Sequence, residues 1–435
     1  MFDRRKFIKQ TGGAAAAVTL ASLFPSAFGR EFDELSGKIL TLPPSGSATD
    51  EDFWGWVRHS YTTSSDVIYL NNGGICSQPK VVQDAVDKYN RFCNEAPSYN
   101  MWETLDDRRE SIRTKVATLA GCSTDEIAFD RNATEALNTI IFGLNLKAGD
   151  EVVLSKQDYP YLVNAFKQRE QREGIKLIYL DFNFPLEDEE EIVKQYEQAF
   201  TDKTRVVLIM HMINFIGQIM PVKAIAKVAH RRGIEVIVDG AQTFCQIDYK
   251  VPDLDCDYYG TSLHKFLCAP FGTGMLYIKK EKIKNIWPLL SSTTPGSEDI
   301  RKFEQLGTRF VPAITAIGDA VDFHNIIGTK RKEERIRYLK NYCCDKIKTL
   351  PKVKMLTSSK PEFSCGLATF SIKGQEPEDI GKTLREKYNI YVTYYSDKTD
   401  IKAKGVSGVR ISPNVFNSLK ELDKAVEAIT EIASI

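Results

Sequence analysis

Glu235-Val236-Ile237-Val238-Asp239-Gly240-Ala241-Gln242 opens with an unbroken β-branched run and stops at an acid followed by small residues. Apolar residues at successive positions, not alternate ones, mark a strand buried on both faces. Upstream, Val206-Val207-Leu208-Ile209 is a second such run, and a helical pattern over 222–232 separates the two. Leu177-Ile178-Tyr179-Leu180 precedes an acidic helical stretch over 187–200. Val152-Val153-Leu154 precedes one through Leu162 and Phe166, and Ile127-Ala128-Phe129 one through Ala136 and Ile140. Downstream, Met275-Leu276-Tyr277-Ile278 reads as a further strand. Strands alternating with helices predict an α/β fold built on a mostly parallel sheet, with ligands bound at the carboxyl ends of its strands.

Further out, Val67-Ile68-Tyr69-Leu70 reads as a short strand ended by Asn71-Asn72-Gly73-Gly74, and Pro79 opens a helix with Val82, Ala85, Val86 and Tyr89 on one face. From about Pro312 the pattern changes. A long charged helix over 330–350 leads into Leu367-Ala368-Thr369-Phe370-Ser371-Ile372, then another helix and strand, and a final helix over 419–432. The division expected is a segment over 30–65 packing on the small domain, a large domain over 66–311 and a smaller C-terminal α/β domain over 312–435. Lys plus Arg and Asp plus Glu both number 58 in the 435 residues. A balanced charge gives no electrostatic reason to propose nucleic acid or an anionic membrane as partner.

Residues 1–29 are set apart from the fold. Asp3-Arg4-Arg5-Lys6-Phe7-Ile8-Lys9 precedes an alanine-rich apolar stretch, and Ala27-Phe28-Gly29 offers small residues for cleavage. The paired arginines before Phe, an apolar residue and Lys resemble a twin-arginine export signal, which implies a periplasmic protein with no membrane attachment after signal removal. That route carries proteins already folded and suits an enzyme loaded with its cofactor beforehand. The nine cysteines are odd in number and scattered, with no CxxC pair and no His-x3-5-His, so no metal site is expected and most read as small buried hydrophobes.

The chemistry centres on Asp239 and on Lys265, which ends Asp257-Tyr258-Tyr259-Gly260-Thr261-Ser262-Leu263-His264-Lys265. Gly272-Thr273-Gly274 follows. Pyridoxal 5'-phosphate needs this set: a lysine for a Schiff base, a carboxylate against the pyridinium nitrogen, hydroxyl and backbone N–H groups for the phosphate, and a glycine-rich turn passing close by. From about Phe53 to its end the chain resembles the class V aminotransferase-fold enzymes, such as cysteine desulfurases and isopenicillin N epimerases. The resemblance implies fold type I: a large domain on a seven-stranded type of sheet plus the small domain.

It also implies residue roles. Lys265, within Ser262-x-His264-Lys265, takes the Schiff-base position, Asp239 the pyridinium partner's, and Gln242 that of the ring-oxygen contact. Leu263 departs from the Gly, Ser or Thr usual there, a variation in pocket shape. Asn132-Ala133-Thr134-Glu135 resembles the phosphate-binding turn, placing Ala133 and Thr134 on the phosphate with Ser262 and His264 opposite. Tyr159 takes the ring-stacking position and Asn214 one near the ring oxygen and substrate. Thr308, in Phe303-Glu304-x-x-Gly307-Thr308, takes that of a threonine reaching the neighbouring subunit's phosphate in a homodimer. Arg410 takes that of the arginine forking onto a substrate carboxylate. His211 reads as a core or strand-end histidine.

The reaction expected is at the α-carbon and amino group of an amino acid or small peptide: epimerisation, transamination or elimination. The alternatives are a cysteine desulfurase or C–S lyase and, in another class, a non-catalytic binding protein on the same fold. A desulfurase needs a loop cysteine shortly before the carboxylate arginine, and residues 391–409 contain none. The strand ending in Asn71-Asn72-Gly73-Gly74 and the tyrosine at the stacking position look more like the epimerase branch.

Overall fold

The computed structural model describes residues 46–396 and 405–435, so the export-signal reading of residues 1–29 lies outside the described residues. Helix α1 (Glu51–His59) is capped by the Asp50 carboxylate, which accepts from the Phe53 N–H at 2.9 Å, and it buries Phe53, Trp54 and Val57. Ion pairs of Arg58 with Glu421 (2.6 Å) and of Glu51 with Arg335 (2.5 Å) tie it to the C-terminal third of the chain.

Strand β1 (Ile68–Tyr69) follows. The next seven strands are β2 (Ile127–Asp130), β3 (Glu151–Ser155), β4 (Lys176–Leu180), β5 (Thr204–Met210), β6 (Glu235–Asp239), β7 (Tyr258–Ser262) and β8 (Gly274–Ile278). They form one sheet in the order β2-β8-β7-β6-β5-β3-β4. Only β8 runs antiparallel to its neighbours; the other pairings are parallel. The fold is thus the mostly parallel α/β type expected. Alternation inside the strands explains the continuous apolar runs. Val207 and Ile209 of β5 join one core cluster while Val206 and Leu208 join the other, and in β6 Val236 and Val238 face opposite to Ile237. Each run is apolar throughout because helices cover both faces.

Helices α2 (Ala133–Gly143) and α3 (Pro160–Glu173) begin just beyond β2 and β3. The helix α4 (Thr329–Ile347) leads into a second sheet. Its strands are β9 (Val353–Met355), β10 (Ala368–Ile372), β12 (Thr393–Tyr395) and β13 (Gly408–Ile411), in the order β9-β10-β13-β12. A third core cluster lies between this sheet and the last helix, α5 (Leu419–Ser434). Strand β1 does not join the large sheet. It pairs in parallel with β11 (Ile390–Tyr391), and Leu70 is buried in the third cluster. The segment after β1 then runs beside Ser412, whose N–H donates to the Leu70 carbonyl at 2.7 Å. This crossing carries residues 71–74 to the mouth of the cleft between the two sheets.

Candidate active site

The carboxyl ends of the parallel strands converge, as open α/β sheets require. Asn132 follows β2, Tyr159 follows β3, Asn214 follows β5, Asp239 ends β6, and Ser262, His264 and Lys265 stand at the end of β7. With Ala133, Thr134, Gln242 and Arg410 they line one cavity of about 470 Å³. Thr308 is not brought there. It is exposed, and the cavity lining does not include it.

The phosphate side is built by the start of α2. The Asn132 side chain caps the helix by accepting from the Glu135 N–H at 2.9 Å, and the Ala133 N–H donates to Ser262 Oγ at 2.9 Å. The Ser262 hydroxyl and the helix N-terminus therefore point at the same volume, which favours an anion. Gly274 is needed beside this turn: a Cβ there would come within 2.6 Å of the Asn132 backbone. His264 Nδ1 lies 3.1 Å from the Thr273 carbonyl, so that nitrogen carries a proton. Burial, and next the Lys265 charge, push its pKa down to about 4, which leaves a neutral ring. A bound phosphate would reverse part of that shift by favouring imidazolium.

The Asp239 carboxylate is buried, with Oδ1 accepting from the Ala241 N–H at 2.8 Å. Burial raises its pKa, while that N–H and the Lys265 charge hold it back. Gly240 admits no side chain, since a Cβ would stand 2.0 Å from the Tyr259 ring. The Gly240 carbonyl also accepts from the Thr261 hydroxyl at 3.1 Å. The turn bearing Asp239 is thereby fixed. Lys265 Nζ makes no hydrogen bond among the described residues, and burial, the largest influence, lowers its pKa to about 8. Asp239 opposes that shift and Arg410 adds to it. Tyr159 stands immediately before α3, and burial followed by the Asp239 charge pushes its hydroxyl up to about 12, so it stays neutral.

Arg410 is buried in β13, its Nη1 donating to the Asn214 carbonyl at 2.7 Å and its Nη2 to Asn71 Oδ1 at 2.8 Å. Gln242 Nε2 donates to the Gly73 carbonyl at 2.8 Å. Three buried polar atoms of cavity-lining residues lack partners among the described residues: Asn214 Oδ1, Gln242 Oε1 and Arg410 Nε. Buried groups left this way cost free energy unless a ligand satisfies them. Together with the unbonded lysine, the Asp239 carboxylate and the helix terminus they fit pyridoxal phosphate, whose hydroxyl, aldehyde, ring nitrogen and phosphate would each find a group of matching chemistry here.

Sequence reasoning missed Asn71, Gly73 and Phe215 as lining residues. In the fold the Tyr395 ring packs edge-on against Phe215 at 4.9 Å and lies 5.6 Å from the Arg410 guanidinium carbon. His211 is buried beside the site and bonds Thr243 Oγ1 through Nδ1 at 2.9 Å, and burial lowers its pKa to about 3. All nine cysteines are free thiols, eight of them buried, and none lines the cavity.

The aminotransferase class-V profile matches residues 68–424. A probable cysteine desulfurase of Halalkalibacterium halodurans is 31% identical over 340 residues, covering 74% of this chain and 81% of its own. An isopenicillin N epimerase of Amycolatopsis lactamdurans is 26% identical over 401 residues, covering 87% and 98%. Among solved structures, the apo cysteine desulfurase of Thermococcus onnurineus superposes with a TM-score of 0.76 at 23% identity, over 87% of this chain and 97% of that one. At that identity the likeness bears on the fold.

Proposed function

The chain belongs to the class-V aminotransferase family, and from that premise we propose that this pyridoxal-phosphate enzyme acts at the α-carbon and amino group of an amino acid or small peptide. The observation that carries the reading is Arg410. It lines the same cavity as Lys265 and Asp239, and no carboxylate pairs with it among the described residues. A guanidinium kept without a counter-ion beside a nucleophilic lysine suits a substrate bearing both a carboxylate and an amine.

Pyridoxal phosphate, when bound, supplies the electron sink for the pair released at the α-carbon. Lys265 holds the cofactor and moves the proton at that carbon, as a buried amine with a pKa of about 8 is suited to do. Asp239 holds the proton on the ring nitrogen. Arg410 orients the substrate through its carboxylate. Thr134, Ser262 and His264, with Ala133 at the start of α2, would hold the phosphate, Tyr159 would cover the ring, and Asn214 and Gln242 would meet its hydroxyl.

Within this reaction class we favour epimerisation, transamination or elimination without a protein persulfide. No cysteine lines the cavity, and residues 391–409 contain none. The experiment is a panel of amino acids and small peptides, L-cysteine included, given to the purified loaded enzyme. The readouts are cofactor absorbance, products and cysteine modification by mass spectrometry. Spectral change and product with at least one amino acid, and no persulfide with L-cysteine, are expected. A persulfide forming at the rate of alanine release would overturn the persulfide-free reading, and no spectral response to any member would overturn the α-carbon reading.

Export and dimerisation belong to the same proposal. Thr308 is exposed away from the cavity, and Trp287, Leu290 and Phe310 are exposed at 61%, 46% and 54%, apolar surface of the kind that a second subunit covers. Sedimentation of the loaded enzyme is expected to give a dimer, and an active monomer would remove Thr308 from the site. Recovery of the mature protein from the periplasm, dependent on Arg4 and Arg5, tests the export route.

A further inference from the structure

Arg410 sits mid-strand in β13, paired with Thr369 on one side and Thr393 on the other. Its backbone is fixed by the sheet, while its guanidinium reaches across to a segment 339 residues away. That segment is pinned in turn. The Ser412 N–H donates to the Leu70 carbonyl at 2.7 Å, the Asn72 N–H to the Ser412 carbonyl at 3.1 Å, and the Gly73 N–H to Ser412 Oγ at 2.9 Å. Gly73 also leaves room for the arginine, for a Cβ there would stand 3.2 Å from its Cζ. Asn71 is thus carried on a strap hydrogen-bonded to the residue two beyond Arg410.

A guanidinium only donates, so the oxygen of the Asn71 amide must face it. The amide and the Asn214 carbonyl take one N–H each of Nη2 and Nη1. The remaining N–H groups, the unpartnered Nε–H among them, are left for a ligand. A neutral acceptor orients the fork without cancelling its charge. An acid of the same shape would hold the arginine as an internal ion pair and compete with an incoming carboxylate.

We infer that Asn71 is the positioning residue that aims Arg410 and sets the enzyme's preference for carboxylate-bearing substrates, by being an amide and not an acid. The inference rests on the proposed carboxylate role of Arg410. The test uses loaded wild-type enzyme, Asn71→Asp and Arg410→Ala, each titrated with 2-methylalanine and with 2-methylalaninamide. Neither probe has an α-hydrogen, so cofactor absorbance reads binding alone. Wild type is expected to favour the acid, and Arg410→Ala to lose that preference. Asn71→Asp is expected to lose at least about tenfold in acid affinity with amide affinity held within about twofold. Asn71→Ala, which removes the acceptor without adding charge, falls between.

Asn71→Asp retaining the preference while Arg410→Ala loses it would overturn the inference and leave the carboxylate fork standing. Equal loss of both probes in Asn71→Asp would overturn it too, because a merely structural role would not discriminate. No preference in wild type, or an unchanged one in Arg410→Ala, would sink the fork itself and the inference with it.

Discussion

Lys265→Ala is expected to give a folded protein with no measurable turnover, a fall of at least about 10⁴-fold. The side chain lies on the cavity wall, outside the three main core clusters. Its loss removes no packing of the kind that costs several kcal/mol. What it removes is the amine that holds the cofactor and moves the α-proton, and no other lysine lines the cavity. Borohydride reduction of the wild type followed by peptide mapping is expected to find the pyridoxyl group on Lys265, and a label on another lysine would refute the assignment. The amine also sets a pH dependence. Burial disfavours the ammonium ion, so its pKa lies at about 8, below the ordinary lysine range. A base must be neutral to accept a proton. Activity limited by that step therefore rises as pH climbs through about 8 and levels off above it.

Much of this was legible because the signals are local. Burial on both faces makes β5 apolar from Val206 to Met210 and β6 apolar from Val236 to Val238, and a helix cap such as Asn132 works within three residues of itself. Asp239 and Lys265 could be read together because each ends or follows a strand of one parallel sheet, so their convergence follows from topology. What could not be read depends on contacts between distant segments. A strand of two residues carries no information about its partner, and β1 pairs with β11 because Leu70 finds its burial in the smaller sheet's core. Asn71 and Gly73 look from sequence like the end of a strand. Only bonds from distant segments, Arg410 to Asn71 across 339 residues and Gln242 to Gly73 across 169, give them a place in the site. Tyr395 similarly acquires its contact with Phe215 from two segments meeting at the cleft.

Asp239→Asn is expected to keep the fold and lose about a thousand-fold in kcat/KM, about 4 kcal/mol of transition-state stabilisation. The two side chains have the same shape, and an asparagine oxygen can still accept from the Ala241 N–H that Asp239 Oδ1 now meets at 2.8 Å. The turn below is indifferent to the change, being held by Gly240 against Tyr259 and by the Thr261 hydroxyl on the Gly240 carbonyl. Charge is what disappears. Burial makes the carboxylate costly in the absence of a cation, and raises its pKa. That cost is recovered only when a positive group stands opposite, which is the condition under which the carboxylate holds a proton on the ring nitrogen. An amide provides no such hold, and the electron sink weakens accordingly. The bound cofactor's absorbance, followed against pH, reads the effect independently of turnover, and its titration midpoint is expected to shift in Asp239→Asn. Near-normal kcat/KM with an unchanged titration would mean that another group protonates the ring, and Asp239 would lose its role. Restored activity in Asp239→Glu, with the amide variant inactive, would place the requirement on charge at this position and not on the shape of the turn.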